Sequence, residues 1–151
     1  VSDIEKSVSF YKQVVGFEEV DGFEVKGSFP KAVGLTDGTP LKVRVLVLGE
    51  DESATKLKMM QVDSKKPART INQPHIHTLT GFSYLTIFVE DVDLVLANAK
   101  KHGCEAYAKS PQILPEGFPQ DLCLLMLKDP DGNFVEIVGP NTKALRKKAK
   151  E

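Results

Sequence analysis

The hydrophobic positions near the start of the chain recur at the period of a helix. They are Ile4, Val8, Tyr11 and Val15. Ser2 and Glu5 have the S-x-x-E spacing of a capping box, and Gly16 is the residue type that commonly follows a last helical turn. We therefore predict a helix that begins after Ser2 and ends at Gly16.

A second helix is predicted after Asp91, where apolar residues again fall on one side. They are Val92, Val95, Leu96 and Ala99. This helix is expected to end at Gly103, after cationic residues that suit the negative end of a helix dipole. Val1-x-Asp3 and Val89-x-Asp91 precede the two helices in the same way, which indicates an internal repeat.

Apolar residues at a period of two, or in short continuous runs, predict strands after each helix. The predicted strands cover 18–25, 41–48 and 56–62 in the first half, and 82–89, 105–109, 122–128 and 133–138 in the second. A tight turn joins the last two, because Pro130 presets one dihedral angle and Gly132 supplies a positive one. The second half is thus predicted as β-α-β-β-β, and the first half as the same unit with its opening strand reduced to Val1.

This order predicts four segments of an α+β protein. They are a first βαβββ module over 1–62, a linker over 63–80, a second βαβββ module over 81–140 and a basic C-terminal tail over 141–151. Repeats of this size usually pack together so that each covers the apolar face of the other.

The composition argues against several classes of function. The 151 residues include 20 Lys and Arg and 21 Asp and Glu, and the resulting net charge of −1 argues against a nucleic-acid partner. No apolar run is long enough to cross a membrane, so no membrane partner is expected. No targeting segment is visible after Val1, which favours the cytoplasm. Cys104 and Cys123 lack the spacing of a disulfide framework or a zinc site and are interpreted as small buried hydrophobes.

Three stretches of the sequence resemble a known family. They are 1–17 (VSDIEKSVSFYKQVVGF), 81–92 (GFSYLTIFVEDV) and 128–140 (KDPDGNFVEIVGP). Through them the chain resembles the vicinal-oxygen-chelate superfamily, which includes glyoxalase I, bleomycin-resistance proteins and extradiol dioxygenases. The resemblance implies two βαβββ modules whose sheets curl into a mixed-sheet cup. It also implies that metal ligands, where present, come from the first and last strands of each module.

The alternation of side chains along a strand indicates which residues line such a cup. Tyr84, Thr86 and Phe88 share the more amphipathic face of their strand. Glu136 lies in the middle of an apolar strand, where a buried carboxylate is costly unless it meets water, a cation or hydrogen-bond donors. We therefore expect Glu136 to point into the cup.

The ligand positions that the resemblance implies are poorly matched. The first lies upstream of the sequence. In the last strand of the first module Gln61 matches the acidic position, although a shift in register would place Lys58 or Met60 there. Tyr84 stands where glyoxalase-like members have a His, so that Glu136 alone keeps the ligand type. Because a catalytic metal needs about three His or carboxylate ligands, we expect no cofactor, with a divalent metal at Glu136 as the alternative.

Other candidate residues have two interpretations each. Met59 is expected in the core or in the lining of the cavity. Arg44 is expected either on the wall of the cup, as an anion contact, or extended into solvent. His75 and His77 are expected to face solvent or to hold the linker by hydrogen bonds, with two imidazoles on one strand face as the alternative.

These residues favour a protein similar to the bleomycin-resistance branch, which binds a small, partly apolar ligand in a sheet-lined cup. The predicted ligand-binding residues are Tyr84, Thr86, Phe88, Met59, Gln61 and Arg44. One alternative is a metal-dependent isomerase, lyase or dioxygenase completed by residues upstream of Val1, and another is a regulatory module without a small ligand. A homodimer is expected, because the modules expose sheet edges.

Overall fold

A computed structural model describes residues 1–51, 54, 56–62 and 73–142. The chain divides into two compact units, Val1–Thr70 and Ile71–Glu151, and this division lies within the predicted linker. Residues 63–72 of that linker and 143–151 of the tail lie outside the described residues. The limits of the four predicted segments therefore stay predictions.

The first helix, α1, covers Ile4–Phe10, and Asp3 is its N-cap. The Asp3 carboxylate accepts hydrogen bonds of 3.1 Å from the backbone nitrogens of Glu5 and Lys6. The prediction that Ser2 forms a capping box with Glu5 is wrong, because Asp3 has the extended backbone of a cap and its carboxylate reaches these donors.

The helix continues as a π-helical turn over Tyr11–Val15 and ends at Gly16, as predicted. The Tyr11 carbonyl accepts hydrogen bonds from Gly16 N at 3.1 Å and from Phe17 N at 3.0 Å. Gly16 has a φ of 102°, which a residue without a Cβ adopts at little cost. The glycine therefore lets the chain turn from the helix into the first strand.

The first unit contains one antiparallel sheet with the strand order β1-β2-β3. Its elements after α1 are β1 (Glu18–Val25), a short helix α2 (Phe29–Ala32), β2 (Leu41–Val47) and β3 (Lys56–Gln61). β1 bulges between Val20 and Phe23, where a Cβ on Gly22 would collide with the carbonyl oxygen of Val43.

The side chains of the first sheet fall on two faces. Leu46 and Met59 are buried on the face next to α1, which contacts β3. Leu41, Val43 and Val45 form a cluster on the opposite face. We call that opposite side the Lys58 face and define it by six residues. They are Val20, Phe23, Val43, Val45, Lys58 and Met60.

The second unit has the predicted β-α-β-β-β order. Its elements are β4 (Tyr84–Phe88), α3 (Val92–Lys101), β5 (Gln112–Ile113), β6 (Leu122–Lys128) and β7 (Phe134–Pro140). The strand order is β4-β7-β6-β5; β4 runs parallel to β7, and the other pairs are antiparallel. Together with the first sheet, this mixed sheet confirms the α+β class.

The predicted strand over 105–109 is wrong, and the strand at this place in the order is the shorter β5. The Ser110 hydroxyl donates to the Tyr107 carbonyl at 2.8 Å and accepts from Met126 N at 3.1 Å. Met126 N in β6 thus bonds to a side chain, while the Met126 carbonyl accepts a backbone bond of 2.7 Å from Tyr107 N. Ala108 has a φ of 56°, which lies outside the strand region.

The side chains of the second sheet also fall on two faces. Leu125, Leu127, Val135 and Ile137 are fully buried on the side of α3, which contacts β6 and β7. We call the opposite side the Glu136 face and define it by eight residues. They are Tyr84, Thr86, Phe88, Met126, Lys128, Phe134, Glu136 and Val138. None of the helices in the described ranges has the length and apolar composition of a membrane span.

Candidate functional site

Thr86 and Glu136 lie side by side at the centre of the Glu136 face. The parallel register of β4 and β7 pairs the two residues, and the Thr86 hydroxyl donates a 3.0 Å hydrogen bond to Glu136 Oε1. Tyr84 and Phe88 flank Thr86 on the same face of β4 and are 45% and 71% exposed. The predicted residues of β4 thus lie beside Glu136, with Thr86 bonded to its carboxylate and one exposed aromatic ring on either side of Thr86.

A cation and two aromatic rings occupy one end of the same face. Lys128 Nζ lies 4.8 Å from the ring centroid of Tyr107 and 4.7 Å from that of Phe134. It also donates a 3.0 Å hydrogen bond to the Gln73 carbonyl, and the Tyr107 hydroxyl donates one of 2.6 Å to the Pro74 carbonyl. These contacts fix the segment that begins at Gln73 to the sheet.

Lys128 and Tyr107 were not among the residues predicted for the site. Lys128 could have been found, because it pairs with Phe134 in the hairpin, and the period of two then places it on the same face as Glu136. Tyr107 carried no such signal, because the segment around it is not a strand.

Gln61, Met59 and Arg44 lie on the α1 side of the first sheet. The Gln61 Oε1 atom accepts a 2.8 Å hydrogen bond from the backbone nitrogen of Ile4, in the first turn of α1. Met59 is buried, and Arg44 Nη1 donates a 2.6 Å hydrogen bond to Glu5 on α1. Of the two interpretations of Met59, its burial agrees with a place in the core. Arg44 takes neither of the two positions expected for it, because it lies on the helix side of the sheet and binds Glu5.

The register of β3 differs from the one that the sequence favoured, because Gln61 is not on the face that points away from α1. Lys58 and Met60, which a shift in register would bring to the acidic position, lie on the Lys58 face, whereas Gln61 faces α1. Because Leu57, Met59 and Met60 are all apolar, the alternation along β3 does not distinguish its two faces. A ligand-binding role for Gln61, Met59 and Arg44 stays a prediction. In the structure Gln61 and Arg44 bond to α1, and Met59 is buried.

Two kinds of pKa change accompany these contacts. The hydrogen bond from Arg44 lowers the pKa of the Glu19 carboxyl from 4.5 to about 2, and the Glu19 and Glu5 carboxylates raise the pKa of Arg44. Burial raises the pKa of the Cys104 and Cys123 thiols. A raised thiol pKa disfavours the thiolate. Cys123 is buried, as interpreted, whereas Cys104 is only partly buried.

His75 and His77 form a stacked pair on an exposed turn. Their ring centroids are 5.4 Å apart and their planes differ by 7°. The turn is closed by a 3.0 Å bond from Thr78 N to the His75 carbonyl and a 3.2 Å bond from His75 N to the Thr78 hydroxyl. The solvent-facing interpretation therefore agrees with the structure, although the two rings also share one side of the turn.

A family model for the glyoxalase/bleomycin resistance protein/dioxygenase superfamily matches residues 1–137. The chain belongs to this superfamily. The resemblance in the three sequence stretches is thereby confirmed at the level of the family. No curated protein sequence is significantly similar to the chain.

Solved structures of glyoxalase-fold proteins resemble this superfamily member over most of its length. A glyoxalase family protein from Bacillus cereus is 18% identical, with a TM-score of 0.66, over 93% of this chain and 89% of that one. The trypanothione-dependent glyoxalase I of Leishmania major is 21% identical, with a TM-score of 0.60, over 99% and 86%. A domain of the same superfamily from Frankia sp. EAN1pec is 17% identical, with a TM-score of 0.63, over 94% and 87%. At these identities the comparisons show the fold.

The donors of this superfamily member do not fit the divalent metal site that the resemblance implies. Glu136 has the threonine Thr86 beside it in the register, and Tyr84 stands at the position of the expected His. Across the described residues, no group of three or more His, Cys, Asp and Glu side chains is arranged to hold a metal ion. A hydroxyl and a phenol are weak substitutes for imidazole and carboxylate ligands.

Proposed function

We propose that this protein binds a small, partly apolar ligand on the Glu136 face of its second sheet, as a binding protein similar to the bleomycin-resistance branch. The observation that carries the proposal is the Thr86–Glu136 hydrogen bond of 3.0 Å between the exposed rings of Tyr84 and Phe88. Ligand sites typically combine an apolar lining with a few convergent polar groups.

The carboxylate determines which polar group a ligand would present. An ionised carboxylate only accepts hydrogen bonds, and Thr86 already donates to the Oε1 atom of Glu136. An N–H or O–H group of the ligand would therefore donate to Oε2. A bond to an ionised acceptor is about twice as strong as a neutral one.

The two exposed rings would supply the apolar contact. Phe88 and Tyr84 lie two residues to either side of Thr86, on the same face of the edge strand β4. Exposed aromatic rings of this kind are unfavourable in water and are common where proteins bind ligands. The ligand class that follows is a small ring or acyl compound with at least one hydrogen-bond donor.

A thermal-shift screen of phenols, aromatic amides and α-keto acids tests this proposal. A compound that binds the native state raises the melting temperature by mass action. The shift is expected to disappear in Tyr84→Ala and to shrink in Thr86→Val. It should persist in Leu94→Ala, which removes an exposed side chain from α3. A shift that Tyr84→Ala leaves unchanged would place the ligand elsewhere, and a screen without any shift would contradict the proposal.

Elemental analysis separates this function from the metalloenzyme alternative. The proposal predicts no stoichiometric divalent metal in the purified protein. A metal present at one equivalent and lost in Glu136→Gln would instead support a metal-dependent isomerase, lyase or dioxygenase.

A homodimer is part of the proposal. β4 is an edge strand of the second sheet, and edge strands tend to pair with further strands. Light scattering on dilute protein is expected to give the mass of two chains, and the mass of one chain would contradict this. The cytoplasmic location stays a prediction of the sequence.

A further inference from the structure

One hydrogen-bond arrangement occurs at the start of both helices. The amino nitrogen of Val1 donates to the Met60 carbonyl at 2.9 Å, and Val89 N donates to the Val138 carbonyl at 2.9 Å. Two residues after each valine, Asp3 and Asp91 cap α1 and α3 with nearly the same backbone angles. The two last strands, β3 and β7, can therefore be aligned residue by residue.

This alignment places Lys58 at the position of Glu136. Met60 is equivalent to Val138, so the residues two positions earlier correspond as well. The residues between them support this alignment, because Met59 and Ile137 both lie on the helix side of their sheets and are 5% and 0% exposed. The first unit thus carries a cation where the second carries a carboxylate.

The lysine at this position is a further argument against a metal site. A lysine ammonium has three donors and no acceptor, so it offers no lone pair to a metal ion. At the equivalent position of the first unit, the implied acidic ligand is replaced by a group that attracts anions.

The surroundings of Lys58 combine this charge with apolar surface. Lys58 Nζ lies 5.6 Å from the ring centroid of Phe23, and Phe23 and Val20 are 47% and 43% exposed on the same face. None of the ion pairs among the described residues includes Lys58. A contact with a ring leaves the positive charge without a counter-ion.

We propose that the Lys58 face binds the carboxylate of a small aromatic or acyl acid. The Lys58 ammonium donates to the carboxylate, and the apolar part of the acid packs on Phe23 and Val20. Charge-assisted hydrogen bonds are among the stronger polar contacts, and apolar contact beside them adds affinity. This site lies on the first sheet and uses no residue of the Glu136 face, so it does not depend on the proposed function.

The test is an NMR titration with phenylacetate at neutral pH and low ionic strength. Lys58→Met is expected to weaken phenylacetate binding by about tenfold, the loss of one charge-assisted contact. The control is Lys56→Met, which removes the neighbouring lysine on the same strand and face and should change the dissociation constant by less than about twofold. Phenylacetamide, the neutral analogue, should bind the wild type more weakly than phenylacetate does. Its affinity for Lys58→Met should equal its affinity for the wild type.

Several outcomes would overturn the inference. One is the absence of saturable phenylacetate binding up to about 10 mM. Another is an equal loss in Lys56→Met and Lys58→Met, which would indicate general attraction by surface charge. A third is a loss in Tyr84→Ala as large as in Lys58→Met, because phenylacetate would then bind at the Glu136 face. Phenylacetate binding that survives Tyr84→Ala supports the Lys58 site whether or not the proposed function holds.

Discussion

Arg44 and Glu19 meet through two parallel hydrogen bonds, 2.6 Å from Nε to Oε1 and 2.9 Å from Nη2 to Oε2. The pair joins β2 to β1, and the remaining Nη1 group of Arg44 reaches Glu5 on α1 at 2.6 Å. Both side chains of the pair are about three-quarters removed from solvent. One guanidinium therefore connects a helix and two strands of the first unit.

Replacing this guanidinium is expected to destabilise the first unit. Arg44→Met keeps much of the side-chain length but leaves the Glu19 carboxylate without its bidentate partner. We expect a loss of about 1 to 2 kcal/mol in the free energy of unfolding, measured by urea denaturation. Lys26→Met, which breaks the more exposed pair with Glu24, is the control and should change stability by less than about 0.5 kcal/mol. Equal effects of the two variants would contradict the role given to Arg44.

The same pair predicts a pH dependence. Because Arg44 lowers the pKa of Glu19 from 4.5 to about 2, this carboxyl binds a proton more readily in the unfolded chain than in the folded one. Its contribution to stability is present above pH 4.5 and is lost as the pH falls from there to about 2. The difference in unfolding free energy between wild type and Arg44→Met should therefore shrink over this interval. A difference that stays constant down to pH 2 would show that the pair is not the cause.

Local signals made much of the fold predictable. The helix ended at Gly16 because the turn needs a positive φ there, and β1 and β6 have the predicted limits. The period of two also placed Tyr84, Thr86 and Phe88 on one face and Glu136 on the amphipathic side of β7, which is the arrangement that the parallel register produces. These features depend on residues close together in the sequence.

The features that were missed depend on distant contacts. The register of β3 follows from its pairing with β2, in which Met60 lies opposite Val43 and Lys58 opposite Val45, and an apolar strand carries no local sign of it. The chain turns where a strand was predicted over 105–109, and the Ser110 hydroxyl accepts the hydrogen bond of Met126 N in β6. Neither contact can be derived from hydrophobic periodicity.

Gly139 is expected to be intolerant of any side chain. A Cβ at this position would collide with the Val89 carbonyl oxygen, where the chain leaves β4 for α3. Gly139→Ala should lower the free energy of unfolding by about 2 to 3 kcal/mol, because backbone must move to relieve the collision. The control is Gly27→Ala, which has a φ of 77° but open space around the added atom, and it should cost about 1 kcal/mol from backbone strain alone. Gly139→Ala with the stability of Gly27→Ala or better would contradict the close approach of Val89.

At Ser7 we expect the opposite result, because removing its polar group should not lower the stability of the protein. Its side chain is fully buried in α1, and its hydroxyl has no hydrogen-bond partner among the described residues. Because a buried unpaired hydroxyl is unfavourable and alanine favours helix, Ser7→Ala should leave stability unchanged or raise it by about 1 kcal/mol in urea denaturation. Ser9→Ala, two residues further along α1, removes a hydroxyl that donates to Gln13 at 3.0 Å, and it should gain less stability than Ser7→Ala. If Ser7→Ala loses more than about 1 kcal/mol, the hydroxyl has a bonded partner in the folded protein and the unpaired assignment is wrong.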